Sequence, residues 1–264
     1  MPRRLVVASL ALGLAACSGG GDGSATPSTL AATTTSTSTS TSAAQETTTT
    51  AASPTTAPSA PSVPACSGGP DVPAGAGTGP LDDVDGDGHP ETLWLSRPSA
   101  SGERRMGVAF SAGGGADLRV DSASPIALVA LAEDVEPSAA VQIVLSDNRQ
   151  AQLFTVEDCR VAVVHNAQGD PYTFDLGFGD FGTGVGCLSS GAQRLVGLNV
   201  TADDGTTVSW SRTVVEVTGD QARNGATTTG TFTRPRDEQG IDSLHTISCG
   251  TRTITADGVR QPEG

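Results

Sequence analysis

From residue 66 onward the apolar residues of this chain never run long: they come in short stretches rich in Val, Thr and Ile, each cut off by Gly, Asp, Asn or Pro. Stretches at 92–95, 106–110, 127–131, 141–145, 152–156 and 160–165 are followed by others at 172–176, 194–200, 207–210, 213–217, 227–233, 245–248 and 251–255. They recur about every ten residues, the rhythm of an antiparallel all-β domain rather than of strands separated by helices. Alternation is clearest at Val208-Ser209-Trp210-Ser211 and over 227–232, where one face of a strand can pack and the other meet water. No window of about a dozen residues carries the apolar spacing of an amphipathic helix. The expected fold over 66–260 is therefore all-β, with antiparallel sheets arranged as an incomplete or few-bladed propeller or as a β-sandwich.

The sequence ahead of this domain is of another kind. Residues 17–65 are almost wholly Ser, Thr, Ala, Gly and Pro after the first cysteine, with Thr and Ser nearly alternating over 33–42. Such a stretch has little to bury against the entropy of ordering it, so a disordered linker is expected. Scaling with the square root of its length, a coil of this size sets the domain about 40 Å from its point of attachment. Before it, Met1-Pro2-Arg3-Arg4 and an apolar run over 5–16 read as the charged and apolar regions of an export signal. The run is too short to cross a bilayer, which takes about 20 apolar residues.

The signal ends Leu14-Ala15-Ala16-Cys17-Ser18-Gly19, which resembles the lipobox of bacterial lipoproteins: small residues before the cut and a cysteine after it. The resemblance implies lipidation of the Cys17 thiol, removal of 1–16, and attachment to the extracytoplasmic face of the cell membrane. Two acyl chains, at about 0.8 kcal/mol per buried methylene, anchor a protein stably where one is marginal.

Four further cysteines, Cys66, Cys159, Cys187 and Cys249, read as two disulfides in an exported domain. None stands in a C-x-x-C pair and the histidines are scattered, which argues against a zinc site. Of the three pairings open, Cys66 with Cys159 and Cys187 with Cys249 is favoured, because each bond then closes a separate half of the domain. The formal charge is −14, and losing Arg3 and Arg4 takes it to −16. That surface repels nucleic acid and suits divalent cations. The chain has no lysine, which excludes Schiff-base chemistry and the phosphate-binding lysine of P-loops.

The sharpest local pattern is Asp83-Val84-Asp85-Gly86-Asp87-Gly88-His89-Pro90-Glu91, just ahead of the stretch at 92–95. Acidic oxygens at alternate positions, a glycine for the sharp turn, and the main-chain carbonyl of His89 can wrap one hard cation; a metal-free polar turn is the alternative. An EF-hand needs a bidentate Glu at the twelfth position, where Trp94 stands. The pattern instead resembles the D-x-D-x-D-G-x-x-D loop of FG-GAP and integrin-type β-propeller repeats. That resemblance implies a structural calcium ion held by Asp83, Asp85, Asp87, His89 and Glu91, with Glu91 departing from the family's usual Asp. A weaker echo follows about fifty residues on, in Glu133-Asp134-Val135-Glu136-Pro137 and 141–146, and a third in 180–187 ahead of 194–200. A period near fifty suits a propeller blade.

Other patterns carry less. Gly177-Phe178-Gly179-Asp180-Phe181-Gly182 has dinucleotide-loop spacing but opens no helical pattern. No G-x-S-x-G, H-E-x-x-H or S-x-x-K motif is present. The expected function is a membrane-anchored, calcium-stabilised β-domain acting as a non-catalytic binding or structural module of the cell envelope, its partner an envelope protein or glycan. The alternative is an envelope glycan hydrolase drawing an acid/base pair from carboxylates such as Asp170, Asp175 and Asp180. Tyr172, Phe174, Phe178 and Phe181 are aromatics near the same loop that can stack on a sugar or pack around Cys187.

Overall fold

A computed structural model of the chain describes residues 66–134, 140–177, 183–188 and 193–263. The lipobox, the Ser/Thr-rich linker, the centre of the second acidic echo and most of the 177–182 loop lie outside the described residues. Among the described residues there are sixteen strands and two short helices. None of these helices is long and apolar enough to cross a membrane.

The strands form three consecutive antiparallel meanders. β1 (Gly77–Leu81), β2 (Glu91–Leu95), β3 (Arg104–Ala109) and β4 (Gly115–Val120) pair in chain order. β5 (Val129–Asp134), β6 (Val141–Ser146), β7 (Gln150–Glu157) and β8 (Arg160–Val163) do the same, with β9 (Thr173–Asp175) added to β7. β10 (Thr183–Leu188), β11 (Arg194–Asp203), β12 (Thr207–Thr218) and β13 (Gln221–Thr233) form the third. The three stretches read as echoes of one another, β2, β6 and β11, each occupy the second place in their meander. The fold is thus all-β, of several open sheets.

The second sheet is the middle layer. Ala132, Ile143 and Phe154 stand opposite one another and face the first sheet, in a core with Leu93, Leu95, Met106 and Val108. Leu131, Val144 and Leu153 form the adjacent row and face the third sheet, against Val185, Leu195 and Val215. Burial on both faces explains why all six residues of β6 are buried, and why its sequence is nearly continuous in apolar character instead of alternating. Each Leu or Phe removed from water here contributes about 1.5–3 kcal/mol. The one polar side chain in β6 other than its terminal Ser, Gln142, turns its amide to the Thr155 hydroxyl at 3.3 Å.

Turn chemistry fixes the registers. Asp158 and Cys159, at φ 51° and 60°, make the two-residue turn from β7 to β8, and Asp147 accepts from Arg149 and Gln150 N–H in the β6–β7 turn. After the third sheet come α1 (Glu238–Ser243), β14 (Ser248–Cys249), β15 (Arg252–Thr253), α2 (Ile254–Asp257) and β16 (Val259–Arg260), which pairs back onto β5. Buried Gln261 then bonds both Leu128 N–H and the Ser96 carbonyl, tying the first sheet to the second.

The disulfides are Cys66–Cys159 and Cys187–Cys249, the pairing the sequence favours. The first does not close one half, however; it joins the start of the domain to the β7–β8 turn. Other strand expectations also change. The stretches 207–210 and 213–217 are one twelve-residue strand with a register shift; of 245–248 only Ser248 lies in a strand, β14, and of 251–255 only Arg252 and Thr253, in β15. Residues 254–257 turn helical because the Thr253 hydroxyl caps them, accepting from Ala256 N–H at 3.2 Å.

Candidate metal centre

The acidic turn between β1 and β2 folds around its own carboxylates. Gly86 and Gly88 take φ values of 74° and 89°, a left-handed backbone that a side chain would resist, and so reverse the chain tightly. Asp83 laces the reversal: one oxygen accepts from Gly86 N–H at 2.7 Å, the other from Gly88 N–H at 2.8 Å. Asp85 accepts from Cys66 N–H at 2.5 Å and from Asp87 N–H at 3.2 Å. Asp87 accepts from His89 N–H and from the Ser111 hydroxyl, which reaches across from the β3–β4 turn.

The result is that one oxygen from each of Asp83, Asp85, Asp87 and Glu91 lies within 4.8 Å of the others. Glu91 is the least ordinary member. It opens β2 with only 2 % of its surface exposed, and one oxygen accepts from Val84 N–H at 2.8 Å. The other oxygen, Oε1, is buried without any hydrogen-bond partner. Burial pushes the Glu91 carboxyl above the ordinary range, the Val84 N–H opposes this, and the charges of Asp85, Asp83 and Asp87 push it further up. Asp87 moves the other way, held low first by the Ser111 hydroxyl and then by the His89 N–H. A buried carboxylate oxygen with nothing to bond and three carboxylates beside it is a costly arrangement unless a cation completes it. The donors are all oxygen, the set a hard divalent cation takes. These residues fit a metal ion.

No family model, curated protein or solved structure matches the chain. The centre is therefore read from its own chemistry. Four of the five sequence-derived ligands come together through their side chains. His89 entered that reading only through its carbonyl, and its side chain is exposed. Two supports were not legible beforehand, Ser111 and the main chain of Cys66, which stand 24 and 19 residues from the aspartates they bond. No local pattern connects them.

The remaining candidates are arranged differently. Asp170 and Asp175 are both exposed, and Asp175 spends one oxygen on the Gly177 N–H at 3.0 Å; Asp180, Phe178 and Phe181 lie outside the described residues. Tyr172 and Phe174 do meet, edge to face at 5.4 Å between ring centres. Trp94, following the acidic turn by three residues, is a core residue, 1 % exposed.

Proposed function

We propose that this chain is a lipid-anchored protein of the extracytoplasmic face of a bacterial membrane, in which one calcium ion stiffens a β-domain serving as a non-catalytic binding or structural module of the envelope. The observation that carries the metal reading is the buried, unpartnered Glu91 Oε1 beside three further carboxylates. Calcium is the ion of choice because it accepts six to eight oxygen ligands in irregular geometry, whereas magnesium holds out for a near-perfect octahedron and keeps its waters. Bound there, it would supply the positive charge that lets four carboxylates stay ionised together. Asp83, Asp85, Asp87 and Glu91 would hold it, and the Asp85–Cys66 and Asp87–Ser111 bonds would pass its grip to the start of the domain and to the β3–β4 turn.

The exported, anchored location is supported by the signal, by Cys17 in its lipobox-like setting, and by two disulfides, which persist in oxidising compartments. A binding or structural role is supported because the best-organised polar constellation suits a structural ion, with no nucleophile and base arranged around it.

Melting of the protein in calcium and then in chelator tests the metal: the midpoint is expected to fall by several degrees in chelator, and equal midpoints would remove calcium from the account. Detergent-phase partitioning tests the anchor. The native chain should enter the detergent phase and a Cys17→Ser variant should stay in the aqueous phase.

A further inference from the structure

The face of the third sheet that looks toward the second changes character along its length. Where the second sheet covers it, it presents Val185, Leu195 and Val215 to the shared core. Phe174 of β9 packs beside Gly197 at the border. Beyond that point the same face carries Asn199, Ser211 and Thr213, placed side by side by the strand registers. The step between this polar face and β9 forms a groove of about 170 Å³, which includes Tyr172, Thr173 and Asn224 in its walls. Those three residues also wall a second hollow of about 390 Å³, with Asn166, Gln168 and Arg223. The groove and the hollow thus adjoin at Tyr172, and the larger is of a size ordinary for a small-molecule or oligomer site.

We infer that this groove binds a neutral oligosaccharide, an inference that rests on the binding-module reading above and names its ligand. Hydroxyls and side-chain amides dominate the lining, and each both donates and accepts, as every sugar hydroxyl does. The charged groups at the two ends are already engaged: Arg223 bonds Glu216 at 2.8 Å, and Asp175 takes the Gly177 N–H. Among the described lining residues Arg223 is the one cation and it is already paired, so a phosphate or uronic acid chain would find little to bind and would face a domain of acidic balance. Tyr172 supplies the apolar surface on which the C–H face of a sugar ring stacks. It is held in place in advance, its ring against Phe174 and its hydroxyl donating to Asn224 Oδ1 at 2.6 Å. That bond leaves the Asn224 amide nitrogen as the end that donates into the groove, and pre-placed groups lose less entropy on binding.

The test titrates the full-length protein, in a zwitterionic detergent free of sugar headgroups, with cellotetraose, maltotetraose, mannotetraose and chitotetraose by calorimetry, followed by mass analysis of the saccharide. Thr213→Arg fills the groove floor, Tyr172→Ala removes the stacking ring, and Thr231→Arg places the same charge on an exposed strand outside it. At least one tetrasaccharide is expected to bind, weakened about tenfold or more by the first two variants and not by the third. Tyr172→Phe, which keeps the ring, should retain most of the affinity. Recovery of the bound saccharide intact supports both the groove and the binding-module reading. Groove-dependent binding with cleavage supports the groove and overturns the non-catalytic reading. No binding by any of the four up to about 10 mM, or binding that Thr213→Arg leaves unchanged, overturns the groove while the calcium-stabilised module stands on its own melting test.

Discussion

The indole of Trp94 occupies the space where a side chain at Gly107, its cross-strand partner, would stand. Trp210 does the same over Gly230 in the third sheet. In the first meander a second-strand tryptophan covers a third-strand glycine, and in the third meander a third-strand tryptophan covers a fourth-strand glycine, so the two sheets share a packing device one strand out of step. The consequences of adding a methyl differ. At Gly107 it meets buried Trp94 and also the rigid main-chain carbonyl of Ala116, whereas at Gly230 its nearest neighbours all belong to the half-buried Trp210 side chain. Gly107→Ala is expected to cost about 1–3 kcal/mol as overpacking and Gly230→Ala clearly less, read from urea midpoints at unchanged slope.

Glu91→Gln separates the two roles of the acidic turn. The amide keeps an oxygen for the Val84 N–H and removes the charge that burial and three carboxylates disfavour. Without calcium the variant should therefore melt at or above the native protein. With calcium it should gain much less, because an ionised ligand has been lost. Calcium titration of both proteins followed by melting checks the crossing; a variant less stable than native in chelator would contradict it.

Much of this was legible in the sequence, for physical reasons that also mark where it stops. Short apolar stretches bounded by turn residues announce themselves as strands, so β2, β3, β6, β7 and β11 stand where the stretches do. The acidic turn is visible because its ligands are local. β1 and β10 are hidden by Gly and Pro, as in Gly77-Thr78-Gly79-Pro80-Leu81 and Thr183-Gly184-Val185-Gly186, whose glycines are used for close approach rather than for turning. A Cβ on Gly184 would run into the main chain at Leu244 and Thr246, a contact that no local pattern encodes. The layer order was equally out of reach: Val141-Gln142-Ile143-Val144-Leu145 reads as buried, but not as buried between two other sheets.

Glu133 gives the fold a dependence on pH. It sits at the end of β5 with 12 % of its side chain exposed and Arg252 Nε 3.6 Å away. Burial pushes its carboxyl up to about 7, Arg252 pulls it down, and Asp82 and Asp257 add to the rise. Below the unfolded value of about 4.5 both states hold the proton, and the contribution is at its most favourable. As pH rises toward 7 the unfolded chain releases the proton first, so stability is lost across this window, by up to about 3 kcal/mol. Glu133→Gln should flatten that part of the profile and melt higher than native at pH 8. Melting from pH 4.5 to 8 in saturating calcium, which keeps the acidic turn out of the titration, measures the difference.

The two disulfides should differ in what they do to calcium. Cys66–Cys159 spans 93 residues and Cys187–Cys249 spans 62, so by chain entropy each stabilises by about 4 kcal/mol and losing either should lower the melting point substantially. Only the first is coupled to the metal centre. The Cys66 N–H donates to Asp85, and the disulfide to the β7–β8 turn is the covalent hold on Cys66. Freed from Cys159, that segment can leave, exposing Asp85 and giving its carboxylate to water. Cys66→Ser with Cys159→Ser is therefore expected to weaken calcium binding several-fold, while Cys187→Ser with Cys249→Ser lowers stability and leaves calcium affinity as it was. Calorimetric titration well below both melting points decides it: equal affinities in the two double variants would mean that Asp85 is positioned by its own turn and not by the segment that carries Cys66.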